Sequence, residues 1–519
     1  MLQSIARGFA RQRPAATHLK TMRDVKDKFL KGRTKKEAKK EIHQFARTWE
    51  YPAELPLAQV RLAPSPLPPL LTSRIHSVFS KYKRADIYDR GNLYMKVYTQ
   101  IHSSEKAGVL LPDRVPFQNS ADFQLLHPEL IFTPRRKPGL PPSVTSATKL
   151  AGASAPEDSV PQVPLKPDET RPSLIKKFTA KDRYAGFLEY DHNLVVAYLA
   201  RKFPESYHIS LRILKEIRQK FPAFRPKTVL DFGAGLAPSF WATEEVFPQT
   251  EAYVAVEPNP YMKKLGKYLT KEQPNLLWMD SILETRGLAF EKFDLIICSF
   301  VLEEVGSPQD RQLVVNSLYD RLEEGGKLVF VLPGTPMGFR FLTDLRNFVI
   351  EKPRDECNIV APCPHHLACP LEREAKNFCR FEQSWNRYNR SVLPKTSRER
   401  DIIRSKFCYL VVRKDRTPQT PEECRTKEEQ TLFWGRILAP IMKRGGHSIL
   451  DLCNFQGQFE RRTVARSHEN KMWLRCTKRL HWGDSWWFPL PIRRKLKRDH
   501  FRYKPKNTKK RAPNGPGGN

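Results

Sequence analysis

The run Thr228-Val-Leu-Asp-Phe-Gly-Ala-Gly-Leu-Ala-Pro238 reads as a buried strand, an acid at its carboxyl end and a glycine-rich turn that opens a helix. In open α/β sheets, ligands bind at such strand ends. Gly233 and Gly235 remove the Cβ atoms that would keep a ligand away from the backbone. Asp231 is placed to orient the turn or to take a hydrogen bond from an ammonium group. One βα unit later Val254-Ala-Val-Glu ends a second strand on Glu257, whose carboxylate can hold two ribose hydroxyls, and Leu276 to Met279 ends a third on Asp280. Acids at three successive strand ends form a specific pattern. A dinucleotide fingerprint is disfavoured, because no third glycine stands near Pro238 or Ser239.

Outward from this run, Asn193 to Phe221 predicts two helices broken at Pro204, and strands follow at Phe293 to Cys298 and Leu328 to Leu332. Strands alternating with helices predict a doubly wound α/β sheet over 173–400. Beyond residue 400 the alternating stretches Tyr409 to Val412, Ile449 to Leu452 and Phe459 to Ala465 predict a small antiparallel β appendage over 401–492. After the fourth strand comes Cys298-Ser-Phe-Val-Leu-Glu-Glu, not the Asn/Asp-Pro-Pro-aromatic loop with which amino-methylating enzymes hold a flipped base. Cys298 is expected to be a buried structural thiol, and Glu303 and Glu304 a solvated helix start.

The flanks add a location and a partner. Among the 519 residues the net charge is +34, a field that attracts a polyanion such as RNA. Residues 1–23 carry Arg7, Arg11, Arg13, Lys20 and Arg23 and no acid, with Leu2, Ile5 and Phe9 on one helical face, the pattern of a mitochondrial transit peptide. Residues 24–133 are basic and in part helical, with a small helical subdomain expected between Tyr51 and Phe132. Residues 134–172 form a Pro-rich linker, and 493–519 a basic tail with eleven basic residues and one acid. No run reaches the length of about 18 apolar residues that a membrane span needs.

Four of nine cysteines fall between Cys357 and Cys379, as Cys357, Cys363, Cys369 and Cys379. In a reducing compartment such clustering favours metal ligation over disulfides. The spacing lacks paired Cys-x2-Cys knuckles, which favours an iron-sulfur cluster; zinc is the alternative, with His365 or His366 as ligands if they are not exposed turn residues.

The segment Ala361-Pro-Cys-Pro-His-His-Leu-Ala-Cys-Pro, the approach Phe224-Arg-Pro-Lys-Thr-Val-Leu-Asp-Phe-Gly-Ala-Gly and the late Trp482-Gly-Asp resemble the mitochondrial methyltransferase-like protein 17 family and its fungal small-subunit relatives. The resemblance covers roughly Asp191 to Trp486. It implies a class I methyltransferase-like fold in which Asp231, Gly233 and Gly235 match the glycine motif, Glu257 the ribose acid and Asp280 the adenine-side acid, with S-adenosylmethionine as the small-molecule ligand. It also implies a 4Fe-4S cluster on four cysteines and a matrix role in assembling the mitochondrial small ribosomal subunit, through contact with its rRNA, ribosomal proteins and other assembly factors. Cys363, Cys369 and Cys379 match three ligands. The fourth falls on Cys453, with Cys408 the alternative, and Cys357 has no counterpart. An active S-adenosylmethionine-dependent rRNA methyltransferase is the rival to a non-catalytic factor.

Overall fold

The computed structural model describes residues 54–82, several positions between 87 and 98, and residues 190–305, 307–354, 356–372, 378–388, 401–466 and 471–487. The segments expected to be a transit peptide (1–23), a linker (134–172) and a basic tail (493–519) lie outside the described residues, as does most of 24–133. The chain divides into two compact units, Met1–Leu55 and Pro56–Asn519, and the elements below belong to the second.

The main sheet has eight strands: β1 (Thr228–Phe232), β2 (Ala252–Val256), β3 (Leu276–Met279), β4 (Phe293–Ser299), β5 (Leu322–Pro333), β6 (Cys357–Ala361), β7 (Phe381–Asn386) and β8 (Ile402–Lys414), in the order β3-β2-β1-β4-β5-β8-β6 with β7 also on β8. β1 to β5 run parallel, whereas β8 lies antiparallel to β5, β6 and β7. This is a class I methyltransferase-like α/β fold with a mixed sheet. Successive residues feed opposite faces: Val229, Leu295, Ile297, Val329 and Val331 enter one core, and Leu230, Ile296, Cys298, Leu328 and Phe330 the other. Both faces are therefore covered, as parallel strands require. The longer helices among the described residues are α1 (Pro69–Phe79), α2 (His192–Arg201), α3 (Phe203–Lys220), α4 (Pro238–Val246), α5 (Pro260–Leu269), α6 (Pro308–Asp320), α7 (Pro336–Ile350) and α8 (Lys471–Arg479). Asn259, Ser307 and Thr335 cap α5, α6 and α7 with a side-chain oxygen, each followed by proline, which suits the first helical position.

Two expectations need correction. Tyr409 to Val412 do not belong to an appendage. They form the middle of β8, which pairs with β5 along Lys327 to Pro333, and their alternation feeds two cores rather than a core and solvent. Downstream, a second sheet of five strands joins β9 (Gly435–Ile437), β10 (Met442–Lys443), β11 (His447–Cys453), β12 (Phe459–Ala465) and β13 (Ser485–Trp486) in antiparallel pairs. Residues 56–82 do not stand apart as a subdomain either. The backbone N–H groups of Val60 and Arg61 both donate to Asp484 Oδ1 at 2.9 Å, and Arg74 of α1 donates to the Leu269 carbonyl at 2.9 Å, seating α1 on α5. Among the described residues no helix is long and apolar enough to cross a membrane.

Candidate functional site

At the carboxyl ends of β1 and β2 the glycine turn is shaped by packing. A Cβ on Gly233, whose φ is +72°, would come within 2.3 Å of Val301, so only glycine fits. Gly235 also has positive φ and lies beneath the Tyr198 hydroxyl, while Ala237 takes the left-handed conformation at φ 58° just before α4. Asp231 is buried, and accepts a hydrogen bond from the Tyr253 hydroxyl at 2.8 Å; burial pushes its carboxyl up to about 7. Glu257 accepts from the Gly235 amide at 2.7 Å and the Asn259 amide at 2.8 Å, which fixes it against the turn, yet burial still raises it to about 7. Asp280 pairs with Lys263 and is 63% exposed, so it faces solvent rather than an enclosed cleft.

Facing this turn, Tyr198 carries Tyr190 and Tyr94 edge-on at 6.0 and 6.1 Å, and Tyr94 stacks on Tyr98 at 5.9 Å. Tyr98 donates to Glu303 at 2.8 Å. Lys202, at the joint between α2 and α3, places its ammonium 3.7 Å from the Phe300 ring and 4.5 Å from the Tyr98 ring, and bonds Glu205 at 2.6 Å. Glu303 is therefore buried rather than part of a solvated helix start. Burial lifts it to about 7 and lifts Glu304 well above the ordinary range, with Glu303 and Glu257 adding repulsion to Glu304. Several carboxyls thus converge on the turn with Lys202 beside them, an arrangement that suits a cationic ligand. Cys298 is buried with its thiol pushed up by burial, so it is a poor nucleophile.

Cys363, Cys369, Cys379 and Cys453 lie near enough for their thiols to influence one another. Burial drives the Cys379 thiol well above its usual value, and the nearby Cys363, Cys369, Cys408 and Cys453 add to the rise. Cys453, at the end of β11, is raised by burial and then by Cys363 and Cys369; Cys369 is pushed up to about 11 by burial, with Cys363 next. Cys408 faces a different environment: it lies in the core on β8 and donates its S–H to the Cys379 carbonyl at 3.1 Å. Cys357 is buried on β6. Among the described residues no three His, Cys, Asp or Glu side chains stand close enough to hold a single metal ion. A cluster spans a wider set of sulfurs than one ion, and a second observation fits an anionic group there. Arg346 of α7 is 3% exposed, lowers both Cys369 and Cys453, and has no hydrogen-bond partner for Nε or Nη1 among the described residues. Contrary to the exposed-turn expectation, His365 is buried, with Nε2 3.2 Å from Cys453 Sγ.

A buried ionic clamp that nothing in the sequence pattern announces joins the second sheet to the first. Arg436 on β9 bonds Glu216 of α3, the Pro362 carbonyl at 3.0 Å and the Gly483 carbonyl at 2.6 Å. Glu216 also accepts from Tyr409 of β8 at 2.6 Å and lies 3.7 Å from Lys220. Pro362 precedes Cys363, so the clamp and the thiols share a wall.

The family described as mitochondrial small ribosomal subunit Rsm22 matches residues 192–487. The chain is 28% identical over 328 residues to Rsm22-cox11 tandem protein 2, mitochondrial, of Schizosaccharomyces pombe, covering 57% of this chain and 43% of that protein. It is 28% identical over 309 residues to the human ribosome assembly protein METTL17, mitochondrial, covering 57% and 63%. Against the ribosome assembly protein RSM22, mitochondrial, of Saccharomyces cerevisiae it is 23% identical over 421 residues, covering 56% and 67%. The first two matches thus span less than two thirds of the relatives' own length. Among solved structures, the N-methyltransferase NodS from Bradyrhizobium japonicum WM9 with S-adenosyl-l-homocysteine overlays with TM-score 0.26 at 16% identity, covering 41% of this chain and 87% of that one. An rRNA methylase from Streptococcus thermophilus overlays with TM-score 0.24 at 13% identity, covering 41% and 97%.

Proposed function

Since the chain belongs to the Rsm22 family, matched across residues 192–487, we propose that it is a mitochondrial matrix factor that assembles the small ribosomal subunit by binding its rRNA. The observation that carries this reading is that match, which spans the glycine turn and all four candidate cluster ligands. The relatives' own descriptions as mitochondrial ribosome assembly proteins support it. So does a net charge of +34, which favours a phosphate-rich partner.

On this reading the methyltransferase-like fold serves recognition. Lys202, Phe300, Tyr98 and Glu303 pack against one another beside the turn, and the segment Cys298 to Glu304 offers no amine clamp. The converging carboxyls favour S-adenosylmethionine as a ligand, with Glu257 and the turn at Gly233 and Gly235 holding it; when bound, it would supply a methyl group. That acid-rich lining is also the one feature favouring the rival, an active rRNA methyltransferase.

The 4Fe-4S cluster would be held by Cys363, Cys369, Cys379 and Cys453, and it would supply iron–thiolate bonds that tie β11 to the loops around β6 and β7. Cys363 and Cys369 both act on Cys453, whereas burial and Arg380 act on Cys408, whose S–H is committed to the Cys379 carbonyl; this supports Cys453 over Cys408 as the fourth member.

Gradient sedimentation of mitochondrial extracts tests the proposal. The chain is expected with small-subunit precursors and not with mature ribosomes. Labelled S-adenosylmethionine is expected to leave small-subunit rRNA unlabelled by the purified chain. Stoichiometric labelling lost in Asp231→Ala would establish the enzymatic rival instead, and steady co-migration with mature subunits would make the chain a permanent ribosomal component.

A further inference from the structure

His365 sits in the loop between β6 and Cys369, is 7% exposed, and meets three segments of the chain. Its Nδ1 lies 3.2 Å from Arg346 Nη2 of α7 and 3.2 Å from the Leu367 backbone nitrogen. Arg346 Nη2 also donates to the His365 carbonyl at 3.3 Å, so the guanidinium grips both ends of the residue. A guanidinium and a backbone amide can only donate. Nδ1 is therefore the acceptor, and the ring proton of the neutral imidazole resides on Nε2. That nitrogen is the one 3.2 Å from Cys453 Sγ. The turn after β11 closes over the ring: a Cβ on Gly457, whose φ is +71°, would lie 3.2 Å from Leu367 and 3.5 Å from Nδ1. The imidazole cannot rotate freely, and its tautomer is dictated by its neighbours.

We propose that His365 is a hydrogen-bond donor to the cluster rather than a ligand of it, its Nε2–H bonding the Cys453 sulfur while Arg346, which has no ion-pair partner among the described residues, fixes the tautomer and brings its positive charge to the same sulfur-lined space. The proposal rests on the reading of Cys453 as a cluster ligand. A histidine ligand would need Nε2 free of its proton, which two donors on Nδ1 oppose. An N–H···S bond withdraws electron density from a metal-bound thiolate and so favours the reduced, more negative state of a cluster. His365 and Arg346 are thus positioning residues that raise the cluster's reduction potential and protect it from oxidative loss.

The test uses the full chain purified without oxygen, as wild type, His365→Leu, His365→Gln and Arg346→Gln. The readouts are iron and sulfide content, the midpoint potential followed by electron paramagnetic resonance, and the lifetime of cluster absorbance in air. His365→Leu is expected to keep its iron, shift the midpoint to lower potential and bleach about tenfold faster. His365→Gln, whose amide N–H reaches in a similar way, is expected to restore most of the difference, and Arg346→Gln to fall between. Loss of iron in His365→Leu without rescue by Gln would make His365 a ligand and overturn the proposal, as would an unmoved midpoint and lifetime. A metal-free readout separates this proposal from the cluster reading. In reduced chain with ¹⁵N-labelled histidine, His365 is expected as the Nε2–H tautomer, and the Nδ1–H tautomer would overturn the assignment. A wild-type chain holding neither iron nor sulfide would instead overturn the cluster reading, and the role in tuning it, while the tautomer still decides the bond to Cys453.

Discussion

The cleft at the ends of β1 and β2 takes its glycines and its best-placed acid from one short stretch of chain, Asp231 to Glu257, whereas the cysteine site draws on Arg346, the loop after β6, Cys379 before β7 and Cys453 at the end of β11. The first is local chemistry on a rigid sheet, and its side chains already hold one another: Asp231 with Tyr253, Glu257 with the Gly235 amide. The second is a long-range assembly that includes an arginine with N–H groups lacking a partner among the described residues. A site that satisfies itself can persist without its ligand. A site that buries an uncompensated cation calls for an anion, because an isolated buried charge is costly.

The sharpest way to break this contrast is to remove one thiol. Cys453→Ser is expected to abolish cluster absorbance and iron content in anaerobically purified protein, and Cys408→Ser to leave both largely intact. Loss in Cys408→Ser with retention in Cys453→Ser would move the fourth ligand into β8 and detach the second sheet from the site.

A smaller effect is expected where the clamp holds the two sheets together. Arg436→Met leaves Glu216 buried with the Tyr409 hydroxyl at 2.6 Å and Lys220 at 3.7 Å to balance it. Breaking a buried pair on one side costs about 3–5 kcal/mol, and the remaining lysine places the expectation at the lower end. Urea unfolding would measure it, and limited proteolysis should show new cleavage between β8 and β9. A loss under about 1 kcal/mol would mean the clamp is a passenger and the sheets are held by other contacts.

Why the sequence announced one region and concealed much of the other follows from the same contrast. Asp231, Glu257 and Asp280 each end an apolar run, so period and punctuation alone put them at strand ends. β8 is different: its run Phe407 to Val412 is apolar without a break, which fits a strand covered on both faces, but only its pairing with β5 shows which sheet it joins. Residues 56–82 carry no signal of their destination, since Asp484 and Leu269 lie far along the chain. Arg436 looks like any exposed arginine until Glu216, Pro362 and Gly483 surround it. His365 read as a turn residue because its burial comes from α7 and the turn at Gly457, neither of which is adjacent in sequence.

A pH titration sharpens the cleft half of the comparison. Burial holds the Glu257 carboxyl at about 7, above an ordinary value near 4.5, so the folded state binds the proton more tightly than the unfolded chain. Its contribution to stability is fully present below about pH 4.5 and is lost as pH rises through about 7. At 1.36 kcal/mol per unit this amounts to at most about 3 kcal/mol. Glu257→Gln cannot titrate, so between pH 5 and 7.5 the wild type is expected to lose about 1–3 kcal/mol more than the variant in urea unfolding. Parallel curves would mean that Glu257 is ionised throughout and already balanced by the turn amides.

The smallest expected effect concerns Ala237, the buried residue that leads the glycine turn into α4. Its left-handed backbone at φ 58° costs about 1–2 kcal/mol that glycine would not incur. Ala237→Gly gives up a fully buried methyl, worth about 0.8 kcal/mol, and frees the unfolded chain by about 0.4–1 kcal/mol. The opposing contributions nearly cancel, so stability should stay within about 1 kcal/mol of wild type by urea midpoint. Binding of labelled S-adenosylmethionine by equilibrium dialysis should likewise change by less than about twofold, a fraction of a kcal/mol. The reason is geometric: Glu257 already fixes the turn through Gly235, upstream of Ala237. A tenfold gain in binding would show that this alanine, and not the crowding by Lys202, Phe300 and Tyr98, is what holds the cleft back.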